Sequence, residues 1–175
     1  MPDKRAAPPP PPTDADTDRF ASPACALAEV DPAYRGFMAR DELIALLNEL
    51  LEAEQAGVKV ANGFLDDAKD DATTAMLRDV RRDEARYAAL LGRLIGELGG
   101  TPSSKAGAFY ERAIAIEGMA ARLAFLNRGQ GWVARKLRDA LPRIAEDNVH
   151  AALKEMLATH DANIERCAPF AAPAR

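Results

Sequence analysis

The amino-acid sequence predicts an all-α protein, a four-helix bundle of two antiparallel hairpins joined by a long crossover. From about residue 41, apolar residues recur at alternating spacings of three and four, the pattern of amphipathic helices. Hydrophobic residues make up 48% of the chain and aromatic residues only 6%, a composition typical of helical proteins. The links within each helix pair are short and the link between the pairs is long, so each pair is expected to be a hairpin.

The first predicted hairpin contains helices over residues 41–67 and 72–98. The segment between them is short, which favours an antiparallel pair. The second helix is expected to end at Gly99, because glycine readily adopts the left-handed conformation that terminates helices. Pro102, which cannot continue a helix, follows closely.

The second predicted hairpin contains helices over residues 119–140 and 146–167. Pro142 interrupts the helical pattern between them. Residues 100–118 form the crossover, and the sequence SKAGAFYERAIAI within it is expected to form a short helix. This arrangement would set the two hairpins side by side.

Three segments follow from this pattern: a tail over residues 1–36, the bundle over residues 37–168, and a C-terminal tail over residues 169–175. The first tail contains five consecutive prolines and many polar residues. Such a segment cannot bury enough apolar surface to order itself, so it is predicted to be disordered. Its prolines could also dock on a partner protein.

Composition and the first residues exclude several classes of function. A net charge of −4 argues against nucleic-acid binding, and no apolar run is long enough to span a membrane. The N-terminal residues lack the apolar core of a secretory signal. Cys25 and Cys167 are isolated, which excludes a disulfide framework or a cysteine zinc site. We therefore expect a reduced, cytoplasmic protein.

Polar residues interrupt the apolar stripes of the predicted helices, and one from each helix lies near its middle: Glu54, Glu84, Gln130 and His160. In an antiparallel pair, residues at equal distances from the turn face each other. Glu54 and Glu84 centre on position 69, and Gln130 and His160 centre on position 145, each inside a predicted turn. The four side chains are therefore expected to meet at mid-bundle.

The two hairpins also resemble each other when the chain is shifted by 76 residues. Leucines of the first hairpin coincide with leucines of the second, but many bundles would share that feature. Polar residues on core stripes are rarer and make sharper evidence. Their correspondences are Glu54 with Gln130, Glu84 with His160, and Tyr87 with Asn163.

The segment RDEARYAALLGRLIGELGGTPS resembles the second helix of small bacterial ferritin-like proteins, and residues 41–167 as a whole resemble the ferritin-like, rubrerythrin-like superfamily. The resemblance is to a small bacterial family of uncharacterised function with a degenerate di-iron motif. In such bundles, two glutamates and two Glu-x-x-His motifs hold a pair of iron or manganese ions. The matching positions here are Glu54, Glu84-x-x-Tyr87, Gln130 and His160-x-x-Asn163.

The departures from that motif decide what the resemblance implies. The motif contains four carboxylates and two histidines. At the matching positions this chain has two carboxylates, Glu54 and Glu84, and one histidine, His160. Two metal ions need more carboxylates than this to bridge them and balance their charge, so a di-iron centre of the usual kind is not expected. The three residues could hold one Fe, Mn or Zn ion, with Gln130, Tyr87 and Asn163 beside them in a cofactor-binding role. A redox or stress-related role would follow from the family alone, and whether the protein is an enzyme stays open.

A non-catalytic protein is the alternative that the sequence leaves open. In that case no metal is bound, and the polar residues pair with one another and set the helix register. The bundle would then be a dimerisation or docking module, for example as a homodimer, since Gly129 and Gly131 permit close helix approach.

Two further features lie on the predicted helix over residues 119–140. One is a basic patch, which is more simply interpreted as a solvated face than as an anion site. It consists of Arg128, Arg135, Lys136 and Arg138. Trp132 stands one position off the core stripe and is expected to pack under the crossover helix or at a dimer contact.

Overall fold

A computed structural model describes residues 36–171 of the chain. It contains five α-helices and two single 3₁₀ turns. The helices are α1 (Arg40–Asp67), α2 (Asp71–Glu97), α3 (Phe109–Ile114), α4 (Met119–Ala140) and α5 (Asp147–Cys167), and the turns are Leu141–Arg143 and Ala168–Phe170. The predicted all-α four-helix bundle is confirmed, and the predicted bounds of its four long helices agree with these within one residue.

The predicted tails fall mostly outside this range. Residues 1–35, with the proline run and Cys25, and residues 172–175 lie outside the described residues. Within residues 36–171, no helix is long and apolar enough to cross a membrane.

The four long helices pack as two hairpins that lie against each other. Helix α1 pairs with α2 and α4 pairs with α5, while α1 also packs against α4 and α2 against α5. The short helix α3 lies across α1 and α4. The crossover therefore runs over one side of the bundle and covers part of the groove between α1 and α4.

Local chemistry accounts for both ends of α2. The Asp70 carboxylate accepts a hydrogen bond of 2.8 Å from the Thr73 amide, which caps the first turn. At the other end Gly99 adopts a φ of 74°, and the Gly100 amide donates to the Ile95 carbonyl at 2.8 Å. This left-handed glycine ends the helix where the sequence predicted.

The start of the crossover is held against α1 through one residue, Ser103. Its amide donates to Asn48 Oδ1 at 2.7 Å, and its hydroxyl donates to Glu52 Oε1 at 2.6 Å. Gln55 Nε2 donates to its carbonyl oxygen at 3.0 Å. Three side chains of α1 thus fix the path by which the chain leaves α2 and approaches α3.

The core consists of two apolar clusters, one towards each end of the bundle. The first contains Leu43, Leu47, Leu50, Leu91, Leu137, Leu153 and Met156 among others. The second contains Val60, Phe64, Leu77, Val80, Leu123, Leu126 and Cys167 among others. Burial raises the pKa of the Cys167 thiol to about 11, so this residue acts as a small apolar side chain. Each long helix runs from one cluster to the other.

The two glycines that flank Gln130 on α4 have different surroundings. A Cβ atom at Gly129 would lie 2.8 Å from Cζ of Phe109, the first residue of α3. A Cβ atom at Gly131 would lie 3.6 Å from its nearest neighbour, Nη1 of Arg135, which is ordinary contact. Packing therefore requires glycine at position 129, where the Phe109 ring rests on the helix backbone, and not at position 131.

This difference predicts opposite responses to alanine. Gly131→Ala should raise the free energy of unfolding by about 0.5–1 kcal/mol, because alanine is the better helix former. Gly129→Ala should raise the free energy of unfolding by less than this, or lower it, because the Phe109 ring must move to make room for the added Cβ atom. Urea unfolding of both variants beside the parent protein measures the difference, and equal gains would mean that Phe109 does not pack at position 129.

Candidate metal centre

A layer of polar side chains separates the two apolar clusters. Each long helix contributes one member: Glu54 from α1, Glu84 from α2, Gln130 from α4 and His160 from α5. Their exposed fractions are 0%, 3%, 3% and 2%. We call these four side chains the polar layer. Buried groups of this kind destabilise a fold unless they find partners, so their contacts decide what the layer can do.

Gln130 bridges two members of the polar layer. Its Nε2 donates to Glu84 Oε1, and its Oε1 lies 2.5 Å from His160 Nδ1. An amide oxygen can only accept, so the imidazole must carry its proton on Nδ1. In the neutral ring this leaves the lone pair on Nε2. Gln130 therefore fixes the tautomer of His160 and at the same time orients Glu84.

The remaining pair of the polar layer is close but not hydrogen-bonded. His160 Nε2 lies 3.2 Å from Glu54 Oε1, but the two atoms are not oriented as a hydrogen bond. Within residues 36–171, neither oxygen of Glu54 nor Nε2 of His160 has a hydrogen-bond partner. An unpaired buried polar group costs about 1–3 kcal/mol. Two potential metal donors thus face each other with unused lone pairs.

Burial pushes the three titratable groups towards their neutral forms. Desolvation raises the pKa of Glu54 well above its usual value. Desolvation, and then the nearby charge of Glu54, raise the pKa of Glu84, against the opposing effects of His160 and Gln130. Desolvation also lowers the pKa of His160. Without a cation, the layer therefore favours protonated carboxyl groups and a neutral imidazole, and a bound cation would displace those protons.

Gly57 makes room for the Glu84 carboxylate. A Cβ atom at this position of α1 would overlap the Cδ and Oε2 atoms of Glu84. Gly57 is one turn beyond Glu54 on the same helix, so two adjacent turns of α1 shape the layer. The sequence does not single out Gly57, because its role depends on a contact between helices that the sequence does not show.

The other two predicted cofactor-binding residues, Tyr87 and Asn163, are buried but have other partners. The Tyr87 hydroxyl lies 2.7 Å from Thr159 Oγ1, and its ring centroid lies 6.1 Å from that of His160. Asn163 Oδ1 accepts from Arg166 Nη1 at 3.0 Å. The structure thus brings Glu54, Glu84, Gln130 and His160 together. The Tyr87 hydroxyl and Asn163 Oδ1 bond instead to residues outside the layer.

As the side chains stand, no three His, Cys, Asp or Glu residues within residues 36–171 converge closely enough to hold a metal ion. Glu54 and His160 are within reach of a common point, but Glu84 Oε1 is bonded to Gln130. A third protein ligand would come from Glu84 only if the metal replaced that hydrogen bond.

The architecture is shared with a solved protein. The chain is similar in structure to a dodecameric thioferritin, a bacterioferritin-related protein from Bacteroides fragilis, with a TM-score of 0.65. The two are 15% identical in sequence, and the match covers 78% of this chain and 88% of that chain. At this identity the similarity defines the fold, a ferritin-like four-helix bundle.

The sequence places the chain in a family within that fold class. Residues 41–169 match the family described as domain of unknown function DUF6306, and the chain belongs to this family. No curated protein matches the chain in sequence. The predicted resemblance to ferritin-like proteins of uncharacterised function is confirmed, while the ligand roles of the six site residues stay predictions.

The Gly57 contact predicts a loss of stability on adding one methyl group. Gly57→Ala should lower the free energy of unfolding by about 1–3 kcal/mol, because the Glu84 carboxylate must leave its position in a packed layer. Gly92→Ala on α2 is the matched control, since a Cβ atom there would meet nothing within 4 Å. Urea unfolding measures both, and a Gly57 variant as stable as the control would contradict this placement of Glu84.

The raised pKa of Glu84 predicts a pH-dependent effect of Glu84→Gln in metal-free protein. A carboxyl group whose pKa is higher in the folded than in the unfolded state stabilises the fold in its protonated form. This stabilisation is complete below the unfolded-state pKa, near 4.5, and is lost as the pH rises through the folded-state pKa. The Glu84→Gln variant cannot lose stability in this way. Its free energy of unfolding, relative to that of the parent, should therefore increase from pH 5 to pH 8. Unfolding curves across that range test this, with the exposed Glu165→Gln as control, and a difference that does not change with pH would contradict the burial of an ionisable Glu84.

Proposed function

We propose that this protein binds a single divalent metal ion, Fe(II), Mn(II) or Zn(II), in the polar layer of its ferritin-like bundle. Glu54 and His160 would be the primary ligands and Glu84 the third. A bound iron or manganese ion would supply redox chemistry. A redox or stress-related role for the whole protein rests on the similarity of fold alone.

The observation that carries this proposal is the lack of a hydrogen-bond partner for the Glu54 carboxyl group and for Nε2 of His160. A carboxylate and an imidazole nitrogen, both buried, lie 3.2 Å apart with no hydrogen-bond partner in the described part of the chain. Carboxylate oxygen and imidazole nitrogen together suit first-row divalent ions. A cation between them would satisfy lone pairs that otherwise destabilise the fold.

Gln130 would support this site without being a ligand. A metal-binding histidine usually donates its second ring nitrogen to a neighbouring acceptor, which fixes the tautomer and the ring orientation. The contact from His160 Nδ1 to Gln130 Oε1 has this form. We therefore assign Gln130 a positioning role, in place of the direct cofactor contact that its sequence position implied.

One ion fits the donor set better than two. A dinuclear centre needs carboxylates that bridge the ions and balance a charge of four. The layer offers two carboxylates and one imidazole, and the amide of Gln130 is already engaged on both sides. The stoichiometry of the proposed site is therefore one metal ion per chain.

A structural layer without metal is the second candidate, and a specific observation favours it. The hydrogen-bonded chain from Glu84 through Gln130 to His160 needs no ion to be complete. It joins three helices and could fix their register on its own. Under this alternative, Glu54 would be held neutral by its raised pKa.

Metal binding separates the two candidates. Protein freed of metal and then dialysed against Fe(II), Mn(II) or Zn(II) should retain up to one ion per chain and unfold at a higher temperature, because a ligand specific to the folded state stabilises it. Glu54→Gln and His160→Gln should each weaken binding by about tenfold or more. Metal analysis and thermal unfolding are the measurements.

Glu49→Gln is the matched control for this experiment. Glu49 is an exposed glutamate of α1 that pairs with Lys136 at 3.0 Å, so its loss should leave metal binding unchanged. If the parent protein retains none of the three metals and none raises its melting temperature, the metal site is refuted and the structural layer stands.

A further inference from the structure

A cleft leads from the surface to the polar layer. It has a volume of about 550 Å³ and lies between α1, the crossover with α3, and α4. Gly57, Glu84 and Gln130 form part of its lining and are buried, so they mark its inner end. Pockets for small molecules typically measure about 300–1,000 Å³ and combine apolar walls with a few polar groups. This cleft has the size of such a pocket.

Aromatic side chains form much of the cleft wall. Phe109, Phe125 and Trp132 all line it and are half-buried. The Phe109 and Phe125 rings are stacked, with centroids 4.7 Å apart. Aromatic residues are only 6% of the chain, so three in one cleft are a local concentration. They offer flat apolar surface to a ligand.

The outer part of the cleft carries arginines without anionic partners. Arg112, Arg128 and Arg135 line the cleft and are exposed. Most arginines of residues 36–171 make hydrogen bonds or ion pairs, but these three make none with the described part of the chain. Arg112 and Arg128 instead lie over the Phe125 ring, 5.5 and 5.4 Å from its centroid.

Besides the buried Glu84, two carboxylates line the cleft, and both contact residues other than these arginines. Glu49 Oε1 lies 3.0 Å from Lys136 Nζ, and Glu52 accepts from the Ser103 hydroxyl at 2.6 Å. Neither pairs with the three arginines. Three arginines therefore stand against two carboxylates at the cleft entrance, and one of these carboxylates is also paired with Lys136. This excess of positive charge, on a chain whose net charge is −4, favours an anionic ligand.

We infer that this cleft binds a small organic carboxylate with an apolar chain or ring. The carboxylate would bind the guanidinium groups of Arg128 and Arg135, beside Arg112. The apolar body would lie along the aromatic rings and extend towards Glu84 and Gln130. The cleft shares Glu84 and Gln130 with the polar layer. None of the three arginines belongs to that layer, however, so metal-free protein should bind the ligand.

Calorimetric titration of the metal-free, full-length protein tests this inference. The probes are decanoate, which has an aliphatic body, and 2-naphthoate, which has an aromatic one. Decyltrimethylammonium tests whether the negative charge is needed, and inorganic phosphate tests whether the apolar body is needed. At least one carboxylate probe should bind with one molecule per chain. The ammonium probe should bind at least about tenfold more weakly, and so should phosphate, which has no apolar body.

Three variants locate the binding. The double variant Arg128→Gln with Arg135→Gln should weaken carboxylate binding by at least about tenfold, because it removes two charge-assisted contacts. Ala53→Phe should abolish binding by filling the cleft, since Ala53 lines it. Arg78→Gln is the matched control, because Arg78 is exposed, lies outside the cleft and makes no hydrogen bond or ion pair with the described part of the chain. The affinity of this variant should equal that of the parent.

Several results would overturn the inference. They are the absence of binding by both carboxylate probes, equal binding of the ammonium probe or of phosphate, and unchanged affinity in the double arginine variant or in Ala53→Phe. Circular dichroism of each variant establishes that it is folded before titration. The metal experiment is scored separately on Glu54 and His160, so either proposal can fail while the other stands.

Discussion

The hydrogen-bonded chain from Glu84 through Gln130 to His160 is the interaction on which the centre of the bundle depends. An amide can donate to a carboxylate and accept from an imidazole at the same time. An ionised carboxylate at position 130 could donate nothing to Glu84, and an apolar residue would leave both partners unpaired. Because hydrogen bonds of this one side chain join α2, α4 and α5, it ties the three helices together at one level and determines which nitrogen of His160 is free.

The contacts of the polar layer follow the repeat of 76 residues. Under that shift, the pair Glu54 and His160 corresponds to the pair Gln130 and Glu84, and both pairs are in contact. The pair within the second hairpin, Gln130 and His160, is a hydrogen bond. Its counterpart in the first hairpin is two carboxyl groups, and the charge of Glu54 raises the pKa of Glu84. The asymmetry leaves the unused hydrogen-bonding capacity on Glu54 and His160.

Spacing along the sequence was enough to predict the helices and the level of the polar layer, because helical period and hairpin geometry follow from local rules. Side-chain direction was not predictable in the same way. Tyr87 and Asn163 occupy the motif positions, but the Tyr87 hydroxyl bonds to Thr159 and Asn163 bonds to Arg166. The cleft was also missed, since its walls come from three elements and the crossover has no periodic pattern to place Phe109 against α4.

The two apolar clusters explain how the bundle tolerates unpaired polar groups at its centre. Each long helix is packed at two levels, one on either side of the polar layer, so apolar burial on both sides offsets the cost of leaving Glu54 and His160 Nε2 without hydrogen bonds. Gly57 costs its helix about 1 kcal/mol relative to alanine, yet a side chain there would displace Glu84. Departures from helix propensity and from apolar patterning therefore coincide in one layer. That coincidence is expected where a fold accommodates a function at some cost to its stability.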